Sequence, residues 1–252
     1  MTASLKRGLI AGLIAGLFAA LFAFVVAEPV IDRAIAIEEQ ASHESAAVTA
    51  ATTDVAPAAE AGHDHEAAPV SRDTQRRVGA PLGFTLLGAA FGVFFALLYA
   101  GLGRFVVTRD TWQRTLALAG AALTAIVVVP FVRYPANPPG VGDPDTVGQR
   151  TRLYLAAVLL GLVAVTMAWR LLRELARRGM PQPARHVVVA VAFVALVAAG
   201  YAVLPDNTDA VPVPATLLWD FRLRSIATQL ILWGSLAAGF ALLTERAART
   251  PR

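Results

Sequence analysis

GLIAGLIAGLFAALFAFVVA, residues 8–27, follows Lys6 and Arg7 and contains no charged side chain. Twenty residues at ~1.5 Å per residue cross a hydrocarbon core of ~30 Å, so the run reads as a membrane-spanning helix. Gly8, Gly12 and Gly16 recur at every fourth position and place a small-residue stripe on one face. Such a stripe lets a second helix approach closely. A secretory signal is the competing reading, with Val25 and Ala27 before a cut at Glu28. The apolar part exceeds the ~7–15 residues usual for a signal. Either way the segment that follows leaves the cytoplasm.

Five further apolar runs follow at 81–103, 116–132, 153–169, 187–204 and 226–243. The expected fold class is therefore an all-α integral membrane protein. It is a bundle of six transmembrane helices, or five if the first is removed, forming a single polytopic domain over residues 1–252. Composition agrees: 56% of residues are hydrophobic, 16% are charged and the mean hydropathy is +0.58, which places the chain in lipid. Gly88 and Gly92 in the second run repeat the small-residue spacing, as do Gly79 and Gly83. The first two spans should cross through Gly8, Gly12 and Gly16 on one side and Gly88 and Gly92 on the other. The sixth run is the most polar, with Thr228, Gln229 and Ser235 inside it.

Charge sorts to alternate sides of these spans. Basic residues crowd the N-terminus, the 104–114 and 170–185 turns and the tail, while fifteen of the eighteen acidic residues fall on the opposite side. The positive-inside rule then puts both termini in the cytoplasm and the 28–80 connection outside. A sequence pI near 10.1 does not point to nucleic acid, because arginines alternate with apolar runs and form no single patch.

The outer connection from Glu28 to Arg77 holds three of the four histidines and ten of the eighteen acids. Imidazole and carboxylate together are a divalent-metal ligand set, and with no cysteine in the chain thiolate cannot contribute. The candidate ligands are Glu28, Asp32, His43, His63, Asp64, His65 and Glu66. Pro29 suits the first turn of a new helix. Val30, Ile31, Ala34, Ile35 and Ile37 make a short amphipathic stretch expected at the membrane surface. Glu28 and Asp32 are four apart on that helix and share a face. They sit at a membrane boundary, where a charge is either paired or lines a wet path; a salt bridge to Arg33 or to a basic residue of another outer loop is the plainer alternative. Residues 40–70 lack any period and read as a disordered extracytoplasmic loop carrying the histidines.

Between the third and fourth runs lies RYPANPPGVGDPD, residues 133–145. Four prolines and two glycines exclude helix and central strand and give a stiff, shaped loop, with Asp143 and Asp145 as turn residues. Thr146 and Gln149 have capping-box spacing for the next helix. Asp220 with Arg222 and Arg224 reads as a structural pairing at the start of the sixth span.

Three motifs in this order resemble the CbtA family, cobalt transporter subunits of bacteria. They are AEPVIDRAI (27–35), HDHE (63–66) leading into VSRDTQRRVG (70–79), and RYPANPPGVGDPDT (133–146). The last is the most specific. The resemblance covers nearly the whole chain. It implies a multi-pass subunit of a bacterial inner-membrane cobalt uptake system, with Co²⁺ as cargo and no cofactor. It also implies a small membrane partner resembling CbtB, which carries its own histidine-rich segment. Family members are described with five spans, one fewer than hydropathy gives here.

Enzyme chemistry leaves no trace in the sequence. There is no Walker A pattern and no His-Glu-x-x-His helix. Two function classes stand: a subunit moving a divalent metal inward, or a membrane scaffold or sensor that binds metal and assembles with a partner.

Overall fold

Prolines and widened helical turns organise the spans. The computed structural model describes residues 2–52, 74–106, 108 and 110–249. Helix α1 (Thr2–Phe22) passes through a π turn, Ala23–Ala27, directly into α2 (Glu28–Thr52). A second π turn, Gln75–Gly79, leads into α3 (Ala80–Leu102), and a third, Thr124–Val128, joins α4 (Thr111–Leu123) to α5 (Val129–Arg133). Each π turn ends two residues before a proline: Pro29, Pro81 and Pro130. Proline has no N–H, and its ring crowds the carbonyl four residues back. A turn widened by one residue relieves that crowding without ending the helix. The bonding fits: the N–H of Glu28 donates to the Ala23 carbonyl and that of Val129 to the Thr124 carbonyl, each five residues back.

Helices α6 (Val147–Arg177), α7 (Gln182–Val203) and α8 (Ala215–Arg249) complete the chain. Counting α1–α2 and α4–α5 as one rod each, six helices are long and apolar enough to cross a membrane. They match the six apolar runs of the sequence. No strand occurs among the described residues.

The continuity of α1 and α2 changes the reading of residues 28–52. Pro29 begins no separate helix. Because the π turn absorbs it, the rod carries on past the membrane boundary, and Val30 and Ala34 are buried against Leu217 beside Ile37, Val213 and Phe221. The amphipathic stretch therefore packs on the start of α8 instead of lying along the lipid surface. Helix also extends to Thr52, into the segment expected to be irregular from Gln40. Ala, which favours helix, is frequent there. The remainder of that segment, including His63, Asp64, His65 and Glu66, lies outside the described residues.

The main core gathers four spans. Ala11, Ala15 and Ala19 of α1, Phe95 and Ala96 of α3, Leu118 of α4 and Leu232, Trp233, Leu236 and Phe240 of α8 are buried together. Phe95 meets Phe240 edge-to-face with ring centroids 5.3 Å apart, a favoured aromatic geometry. The α1–α3 crossing is a close backbone contact along several turns. A Cβ on Gly8 would overlap the carbonyl oxygen of Gly92, one on Gly12 that of Gly88, and one on Gly16 that of Phe84. The expected glycine stripe is thus the contact itself. Gly83, by contrast, faces open space and takes no part.

A smaller cluster, Val129, Ala164 and Val197 with Leu160, Phe193 and Tyr201 around it, binds α6 and α7 to α5. Gly161 lies against the backbone of Ala125, at the third π turn. The bundle thus has two parts: a four-span core, and an α6–α7 pair attached along α4–α5.

Candidate functional site

Two loops at one end of the bundle form the rim of a cavity. At the end of α5, Arg133 donates to the Leu204 carbonyl and pairs with Asp206 at 2.7 Å. Tyr134 donates its hydroxyl to the Pro205 carbonyl at 2.6 Å. The chain then enters the proline-rich loop, where Gly140 (φ 74°) and Gly142 (φ 102°) adopt the left-handed conformation that favours glycine. Asp143 caps the short turn Pro144–Thr146, accepting from the Asp145 N–H at 2.9 Å. That is the turn chemistry expected of it.

Thr146 does not cap α6 as its spacing with Gln149 led one to expect. Its hydroxyl instead bonds to Asp209 on the other loop at 2.7 Å, because that carboxylate is brought within reach by the fold. Arg150 of α6 donates to the carbonyls of Val141 and Asp143. Its Nε lies 3.2 Å from Asp209, whose side chain is only 6% exposed. So the proline-rich loop and the 204–214 connection are stapled together by Arg133, Tyr134, Thr146 and Arg150.

Behind this rim is a cavity of about 630 Å³, within the ~300–1,000 Å³ range of small-molecule sites. It opens where the α6–α7 pair meets the core. One wall is α5 and α6, through Phe131 and Tyr154; the other is α8, through Arg222, Ser225 and Gln229. Those three are spaced i, i+3, i+7 and so share one helix face. Farther along α8 come Leu232, Trp233 and Leu236, all buried in the apolar core. The polar stripe therefore ends there. Arg222 donates to the Ala136 carbonyl (3.3 Å) and to Asn137 Oδ1 (3.0 Å). Arg133 Nε and Gln229 Oε1 are buried without a hydrogen-bond partner.

A second cavity of about 410 Å³ follows the same seam toward the other end of the bundle, between Leu98, Ala122, Leu162 and Trp169. Between the two lies the third π turn. Pro130 cannot donate to Ile126, four residues back, and the Tyr154 hydroxyl bonds to that carbonyl instead at 3.2 Å. Tyr201 likewise donates to the Val129 carbonyl.

The expected metal ligands are scattered by comparison. Glu28 is buried, 6% exposed, at the start of α2. Asp32, one turn on, is paired with Arg76 at 3.0 Å, a partner 44 residues away at the far end of the same connection and neither Arg33 nor a residue of another loop. His43 is exposed on α2. Among the described residues no group of three or more His, Cys, Asp or Glu is placed to hold a metal ion. At the start of α8, Asp220 pairs with Arg224 at 3.2 Å and not with Arg222, since positions two apart on a helix do not face each other.

Sequence reasoning noted Gln229 but missed the cavity wall. The signal was there in the spacing of Arg222, Ser225 and Gln229, and Asp209 and Tyr154 carried none. The outer side of α2 also belongs to this end: Glu38 rests against Gly140, and Ile37 packs near Val213.

No curated protein and no solved structure matches the chain. A family model described as "Probable cobalt transporter subunit (CbtA)" matches residues 1–245. That is nearly all of the chain, including both rim loops and all but the last turn of α8, and it supports a role as a transport subunit. The chain belongs to the CbtA family.

Proposed function

We propose that this protein is the membrane subunit of a divalent-metal uptake system, with Co²⁺ as cargo, and that its histidine- and acid-bearing segment captures the ion outside the cytoplasm. The observation that carries the reading is the position of the 630 Å³ cavity. It opens at the end of the bundle to which α2, the helix that carries His43, leads, and His63, Asp64, His65 and Glu66 follow that helix in the chain. The charge asymmetry orients that end outward and both termini inward, in a bacterial inner membrane. Glu28 and Asp32 stand where the segment joins the bundle, and the Asp32–Arg76 pair clasps its two flanks. A small partner subunit resembling CbtB completes the assembly.

Ligands on a long connection raise the local metal concentration without fixing a geometry. Capture and passage therefore separate in uptake kinetics. In cells carrying this chain and its partner, His63→Ala with His65→Ala should raise the cobalt concentration for half-maximal uptake and leave the plateau intact. Glu28→Gln or Asp32→Asn should lower the plateau. Cobalt accumulation that is the same with and without this chain would end the transport reading.

A further inference from the structure

The charge of the seam cavity does not suit a bare cation. Three guanidinium groups line it, from Arg133, Arg150 and Arg222, against two carboxylates, Asp206 and Asp209. Both carboxylates are taken: Arg133 holds Asp206 and Arg150 holds Asp209. Arg222 has only neutral acceptors, the Ala136 carbonyl and Asn137 Oδ1, and no carboxylate partner among the described residues. The pocket thus carries one uncompensated positive charge. A divalent ion stripped of its ligands would be repelled there.

From this we propose that the cavity binds a small hydroxycarboxylate anion, with the Arg222 guanidinium as its anchor. A guanidinium presents parallel N–H donors that match a carboxylate. Deeper on the same face, Ser225 and Gln229 supply donors and acceptors for a hydroxyl or second carboxylate, and the buried Gln229 Oε1 has no partner of its own. Phe131, Leu153 and Val211 give the carbon skeleton an apolar surface, which an inorganic anion would not use. The same chemistry can arrive as a free hydroxycarboxylate or as its metal chelate. The chelate would reconcile a positive cavity with a divalent cargo, and only that source rests on the transport reading.

The test is calorimetric titration of the purified full chain in detergent with citrate, Co(II)–citrate, cobalt chloride and phosphate. Citrate should bind at one site, and Arg222→Gln should weaken it by roughly tenfold or more. Arg222→Lys should fall between, keeping charge but losing the planar fork. Because Arg222 also supports Ala136 and Asn137, Gln229→Leu serves as a second variant that spares the loop; a several-fold loss is expected. Tighter binding of Co(II)–citrate than citrate identifies the chelate as ligand, and equal binding identifies the free anion. The inference fails if wild type ignores citrate, if both variants bind it like wild type, or if phosphate binds as tightly. Cobalt uptake by a chain that does not bind citrate would remove this inference alone, whereas citrate binding without uptake would remove only the transport role.

Discussion

The α1–α3 crossing and the α6–α7 attachment join helices by opposite means. In the first, glycines on both partners bring backbone against backbone, with the Ala96 methyl as the side-chain atom at the Gly8 contact. In the second, one glycine meets the π turn at Ala125, and two tyrosine hydroxyls reach across to carbonyls at Ile126 and Val129. Burial follows the same division: the most apolar stretch of α1 is 39% buried and that of α7 only 6%. Both cavities lie along the second junction. Close packing removes space and tolerates no movement, while a junction made of one small apolar cluster and a few directional bonds leaves room beside it. The core holds the frame, and the seam holds the volume in which a ligand can sit.

Breaking the tight side should have the largest effect. Gly12→Leu drives a branched side chain into the Gly88 carbonyl, and neither backbone can retreat without opening the core. A loss of more than about 3 kcal/mol is expected, beyond the ordinary range for overpacking. It would be seen as a collapse in the yield of monodisperse protein. Gly83→Leu on the same helix points into open space and should leave yield and thermal stability as they are. Equal behaviour of the two variants would show that the crossing is not held by glycine.

How far the sequence told of this depends on whether a feature is local. Span number and the glycine crossing follow from runs and spacings within a helix, and both were legible. The proline readings failed in part for a physical reason. Pro29 looks like a helix start, yet a π turn and a proline together make a continuous rod, and the period of the sequence does not register one extra residue in a turn. Pro130 sits in the same arrangement. The cavity was legible only as a faint polar face on α8, because its rim depends on Arg150 meeting Asp209 and Arg133 meeting Asp206 across long stretches of chain. The capture residues 63–66 stay outside what the structure describes, and their role remains a proposal.

An intermediate effect is expected at the rim. Asp209→Asn removes the carboxylate that Arg150 and Thr146 share. Losing one partner of a fully buried pair costs ~3–5 kcal/mol. Here Arg150 is 28% exposed and keeps two backbone carbonyls, so roughly 2 kcal/mol is expected, with the proline-rich loop loosened first. Increased proteolysis within residues 134–146, with the core still folded, would be the observation. A loop as resistant as in wild type would mean that its prolines alone hold its shape.

The smallest change probes the seam itself. Tyr154→Phe deletes one hydroxyl, and the Ile126 carbonyl, to which Pro130 offers no N–H, loses that donor. A neutral hydrogen bond contributes about 1 kcal/mol net, so a modest fall in thermal stability is expected. The interpretation depends on the proline, and that dependence is measurable. Pro130→Ala restores an N–H at the position that faces Ile126 in an α-helix. In that background the carbonyl has its own donor, and removing the tyrosine hydroxyl should cost clearly less than in wild type. The two sites should then show a coupling of about 0.5–1 kcal/mol, within the range measured for groups sharing a partner. Strictly additive losses would mean that Tyr154 stabilises α6 by some other contact, and that the seam is held by packing in the same manner as the core.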